Sequence, residues 1–132
     1  MKYQKIFDII QPTLPADWER VVFYAEYEEF SYMMKFFVRS ENEKYRDCYN
    51  IGLSIAETDE IFEKIDELLK PEWEKGNWTS MTMIVDRNGD FKVDYGHENF
   101  SEGYAGYIDD WFAKYLEGDL EEWHHNQYLP SL

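Results

Sequence analysis

Asp86-Arg87-Asn88-Gly89-Asp90 sets oxygen-bearing side chains at alternate positions, which is how a calcium-binding loop opens. The pattern fails further on. Phe91 stands where the loop needs a turning glycine, and His97 where a bidentate glutamate closes the shell. Asn88-Gly89 between two alternating runs is instead a hairpin turn, because both residues tolerate positive φ. His97, His124 and His125 lack the spacing of a zinc site, and adjacent histidines do not share a face of a helix or strand. Cys48 has no second thiol to pair with. Gly103 and Gly106 precede neither the Lys nor the Ser/Thr that a phosphate loop requires. Carboxylate pairs are uninformative in a chain with 28 acids. The residues therefore point away from an enzyme, and neither a metal nor a cofactor is expected.

What remains is a short acidic, aromatic stretch: Asp94, Tyr95, Glu98, Asn99, Glu102, Tyr104, Asp109 and Asp110. Tyrosines anchor protein interfaces, and carboxylates pair with Arg and Lys across them. The candidate contact surface is thus Asp94, Tyr95, Glu98, Glu102, Tyr104, Asp109 and Asp110, with Tyr95 and Tyr104 as anchors. The same residues also read as a solvated helix face over an aromatic core. Charge bears on the choice. Thirteen Lys and Arg against 28 Asp and Glu give a net −15. Residues 1–56 carry 9 acids and 7 bases, residues 57–75 carry 8 and 3, and residues 76–132 carry 11 and 3. Such one-sided charge steers a basic partner, or simply keeps the chain soluble. It opposes direct binding to nucleic acid or to an anionic membrane.

The elements that must hold these residues follow from periodicity. With 132 residues, 44% hydrophobic and 19% aromatic, the chain is expected to form one domain and is too apolar for disorder. The longest uncharged apolar runs are too short to span a bilayer, and no signal peptide is expected. A lone cysteine suits the cytoplasm. Tyr3, Ile6, Phe7, Ile10 and Leu14 predict a short helix stopped by Pro12 and Pro15. Trp18 to Tyr27 and Phe30 to Arg39 read as strands joined by a turn at Glu28-Glu29, and Tyr45 to Ile55 as a weaker third strand. Thr58 or Asp59 would cap a helix striped by Ile61, Phe62, Ile65, Leu68 and Leu69, which Pro71 should kink or end. Trp78 to Asp86 and Phe91 to Tyr95 form the clearest hairpin. A last helix runs from about Tyr104 to Leu116, with Gly118 ending it. The order α-β-β-β-α-β-β-α predicts an α+β fold with an antiparallel sheet of about five strands. Helices should cover one face, and surplus aromatics should occupy the other.

The run Trp78-Thr79-Ser80-Met81-Thr82-Met83-Ile84-Val85-Asp86, then Gly89, Phe91-Lys92-Val93-Asp94-Tyr95 and Glu98, resembles the YezG-like immunity proteins. Asp17-Trp18-Glu19-Arg20-Val21 with Tyr24-Ala25-Glu26 is similar to that family's first strand, and the two later helices fall in the expected order. The resemblance spans about Asp17 to Leu116. It departs from the family at Gly96-His97-Glu98-Asn99 and at Ile108-Asp109-Asp110.

The resemblance implies a cytoplasmic antitoxin that binds, 1:1, the toxic domain of a secreted bacterial effector. Such effectors are often nucleases, delivered by type VII secretion or contact-dependent inhibition systems. A nuclease site must attract phosphates, so an acidic inhibitor suits it. The competing reading is an acidic adaptor or regulator with a different basic partner, and exposed aromatics could equally support a homodimer. A small metal-dependent enzyme ranks last.

Overall fold

The structure, a computed structural model, describes residues 2–101 and 103–117. Among these residues three α-helices and five strands build an α+β fold in the expected order. Helix α1 spans Lys2–Ile10 and tightens into a 3-10 turn, Gln11–Thr13, at Pro12. Strands β1 (Trp18–Glu28) and β2 (Ser31–Ser40) form a hairpin whose turn falls at Glu29-Phe30, one residue later than expected. The register Tyr27↔Tyr32 and Glu28↔Ser31 fixes it there and leaves Phe30 at the tip, 93% exposed.

The third strand is much shorter than its pattern suggested. Strand β3 is only Arg46–Asp47, and the chain then turns into a 3-10 segment, Cys48–Asn50. Asp47 causes the change, because its carboxylate accepts the Tyr49 N–H at 2.7 Å and starts the turn. Cys48 is fully buried there.

Helix α2 runs Ile55–Gly76 and corrects the expected cap. Its cap is Ser54, whose hydroxyl accepts from the Glu57 N–H at 3.1 Å while Glu57 accepts from the Ser54 N–H at 2.9 Å. Thr58, one of the expected caps, is buried and donates to the Ser54 carbonyl at 2.8 Å. Pro71 sits inside the helix without ending it. It removes a bond to the carbonyl of Glu67, on the exposed side where water can replace it. Beyond it Trp73 stacks on Tyr27 at 5.4 Å and holds the last turns on the sheet. Asn77 then closes the helix at φ 62°.

Strands β4 (Ser80–Asp86) and β5 (Phe91–Gly96) form the second hairpin, and α3 spans Tyr104–Tyr115. The sheet order is β3-β2-β1-β4-β5, every pair antiparallel. Central β1 is buried from Val21 through Tyr27. That unbroken run exists because the sheet is covered on both faces, not on one as expected. Helices α1 and α2 pack on one face over Val21, Phe23, Ala25, Phe36, Met81 and Met83. Helix α3 packs on the other over Val22, Tyr24 and Phe37. The surplus aromatics lie beneath α3. Among the described residues, no helix is long and apolar enough to cross a membrane.

Candidate functional site

Helix α3 is set by its apolar stripe. Trp111, Phe112 and Leu116 are buried, and the Trp111 ring lies 4.8 Å from Tyr24 and 5.5 Å from Phe37. The indole N–H is buried with the ring and needs an acceptor, which Thr82 Oγ1 on β4 supplies at 2.9 Å. Beyond the stripe the packing becomes polar. Glu26, only 9% exposed, accepts from the Tyr24 hydroxyl at 2.7 Å and from the Tyr104 hydroxyl at 2.6 Å. The Tyr24 hydroxyl is also 2.9 Å from that of Tyr107. Burial pushes the Glu26 carboxyl above its ordinary range, and the two tyrosine bonds pull it part of the way back. Glu28 and Glu98 push it up further. Burial also raises the Tyr24 and Tyr104 hydroxyls, and the neighbouring carboxylate adds to the effect.

Between α3 and β5 lies a groove of about 470 Å³. Asp94, Glu98 and Asp110 line it together with Lys92, Lys114 and Tyr115. Asp94 accepts from the Tyr115 hydroxyl at 2.8 Å and lies 3.8 Å from Lys92 Nζ. Glu98 receives the Ser80 hydroxyl at 3.1 Å and the Thr79 hydroxyl at 3.4 Å. A side chain at Gly96 would collide with Glu98 and Ser80, so only glycine lets that carboxylate fold onto the strand end.

The candidate residues therefore separate into groups. Asp94, Glu98 and Asp110 converge on the groove. Asp109 and Asp110 are both exposed on α3, as their place off the apolar stripe required, though Asp109 does not line the groove. Tyr95 points to the opposite face of the sheet from its neighbour Asp94, since strand side chains alternate. Its ring lies 5.3 Å from Trp78 and its hydroxyl bonds that of Tyr3 on α1. Tyr104 is half-buried and serves Glu26 within the molecule. Glu102, the Gly118 stop and the C-terminal residues His124 and His125 lie outside the described residues. Sequence reasoning missed Glu26, Tyr24, Tyr107 and Thr82. An acid inside the apolar run Val21-Val22-Phe23-Tyr24-Ala25-Glu26-Tyr27 was the available signal, because a carboxylate is rarely buried without partners.

A second, shallower hollow of about 1030 Å³ lies near the β1–β2 turn, among Tyr27, Phe30, Trp73, Trp78 and Phe100. Among the described residues, no group of three or more His, Cys, Asp or Glu could hold a metal ion. The groove sets three carboxylates, of which Asp94 and Glu98 are held by hydrogen bonds, against two lysines, so acceptors for a cation outnumber its own positive charges.

The fold is thus a three-layer one, with helices on both faces of the sheet and carboxylates gathered beside α3. The family described as "Immunity protein YezG-like" matches residues 1–117. A curated relative from Bacillus spizizenii (strain ATCC 23059 / NRRL B-14472 / W23), named "Immunity protein YezG", is 31% identical over 109 residues, covering 74% of this chain and 67% of its own. One of the same name from Bacillus subtilis (strain 168) is also 31% identical over 109 residues, covering 74% and 72%. The chain belongs to the YezG-like immunity protein family.

Proposed function

We propose that this protein is a non-enzymatic antitoxin of the cytoplasm that neutralises a cognate toxin domain by 1:1 binding. The observation that carries the reading is the convergence of Asp94, Glu98 and Asp110 on one groove, in a chain of this family and of this charge. The toxin is a nuclease in this reading. An enzyme that binds phosphates presents Lys and Arg, and a surface of fixed carboxylates occupies or covers such a site with complementary charge. The contact surface comprises Asp94, Glu98, Asp109 and Asp110, with Glu102 between them in sequence.

A pull-down from the native host, with this chain as bait and mass spectrometry as the readout, tests the reading. Recovery of a basic toxin domain encoded by the adjacent gene supports it. Recovery of unrelated basic proteins favours an adaptor, and recovery of the bait alone favours self-association. The double substitution Asp109→Lys with Asp110→Lys should slow toxin association roughly tenfold or more at low salt, with the circular dichroism spectrum unchanged. Unaltered association and intact protection of cells would place the contact elsewhere.

A further inference from the structure

We infer that the partner docks by adding a strand to the free edge of β5, and that the added strand alternates basic and apolar residues. The inference rests on the toxin-binding reading and specifies its geometry.

Three observations carry it. First, β5 ends the sheet, and among the described residues no strand pairs beyond it. Its outward backbone groups follow from register. The Asp86 N–H donates to the Asp90 carbonyl at 2.9 Å, and the pairing continues Val85↔Phe91, Ile84↔Lys92, Met83↔Val93 and Thr82↔Asp94. Bonded and non-bonded positions alternate in an antiparallel pair. Lys92 and Asp94 therefore turn their N–H and C=O groups toward β4, while Phe91, Val93 and Tyr95 turn theirs outward. At the other end the two-residue β3 is too short to template a partner, and the stretch of β2 it leaves without a strand, residues 31–36, contributes nothing to the carboxylate groove.

Second, the two sides of this edge differ in chemistry. On the α3 side lies the groove, with Asp94, Glu98 and Asp110 against Lys92 and Lys114. Residues 90–110 hold six acids and one base. On the α1 side Phe91 and Tyr95 remain 38% and 40% exposed. A strand laid along β5 would present alternate side chains to these two environments. Lys or Arg suits the first and apolar residues suit the second.

Third, an open edge strand is a liability that proteins usually block with a bulge, a proline, a charged side chain or a covering element. Among the described residues β5 has neither a proline nor a register shift, and its charges, Lys92 and Asp94, both lie on the groove side, leaving Phe91, Val93 and Tyr95 uncharged on the other. Main-chain bonds would supply affinity here, and the alternation of side chains specificity.

Amide hydrogen exchange on this chain, free and with the catalytically silenced toxin domain recovered in the pull-down, tests the inference. Binding should slow exchange of the Phe91, Val93 and Tyr95 amides on the order of 100-fold. Val93→Pro, which removes one outward N–H at an edge position, should weaken binding by a similar factor while the variant stays folded. If the complex forms and these amides exchange as in the free protein, edge addition is wrong and toxin binding stands. If wild-type protein forms no complex, the toxin-binding reading itself fails. Should Val93→Pro not fold, the wild-type exchange result decides alone.

Discussion

The two faces of the sheet are built from different materials. Under α1 and α2 the contacts are mostly apolar: Ile6, Ile10, Ile65, Leu69, Met81 and Met83 are fully buried. Under α3 the layer is aromatic and hydrogen-bonded, with Trp111 on Thr82 and two tyrosines on Glu26. Apolar packing is non-directional and gives stability in proportion to area. A satisfied polar network gives less net stability but fixes orientation. One face therefore holds the fold together, and the other aims α3 and its carboxylates.

The sharpest way to break this contrast is to remove volume beneath α2. Ile65→Ala should cost about 3 kcal/mol in urea unfolding and leave toxin affinity unchanged while the protein remains folded. An equal loss of affinity would mean that the stabilising face also binds. On the other face, Thr82→Val keeps the shape but orphans the Trp111 N–H, and should cost about 2 kcal/mol by the same measurement. A loss below a few tenths would show that the network adds little. Ser54→Ala, at the start of α2, should cost about 1 kcal/mol and leave the α3 face unaltered by near-ultraviolet circular dichroism.

The smallest effect is a slope. Burial raises the folded-state pKa of Glu26 above its ordinary 4.5. Between the ordinary and the raised value the folded state holds more protons than the unfolded one. The Glu26 contribution to stability is therefore greatest at low pH and declines as pH rises through that window. Glu26→Gln has no such proton to lose. The stability gap between variant and wild type should shift in the variant's favour as pH rises from about 4.5 and then level off. A constant gap would mean that Glu26 titrates alike in both states.

Much of the fold was legible because local signals agreed with the tertiary answer. Asn88-Gly89 fixed one hairpin, and the stripe through Trp111 and Phe112 fixed α3. The Ser54-to-Glu57 capping box was also readable, yet Ser54 lies seven residues before Ile61, the first residue of the apolar stripe, and Thr58 and Asp59 stand nearer to it. Coverage of both faces was not readable. Aromatic residues on the second face fit equally well under a helix or at a surface, and only the position of α3 decides. The same holds for the site. Asp94 and Asp110 lie on elements that periodicity predicts, but the Glu26–Tyr104 bond joins residues 78 apart. Tyr95 seemed a neighbour of Asp94 because they are adjacent in sequence, and strand alternation separates them.

The shortness of β3 has a kinetic consequence. Cys48 follows it, fully buried, with its thiol pushed up to about 12 by that burial. Near neutral pH almost no thiolate forms in the closed state, and no reagent can reach it. Labelling by a disulfide reagent must then wait for this margin to open, at a rate set by how often the segment unlatches. The chain thus carries its own clock for opening at the end of the sheet opposite the carboxylate groove. A partner seated on β5 should slow that clock only by stabilising the whole fold.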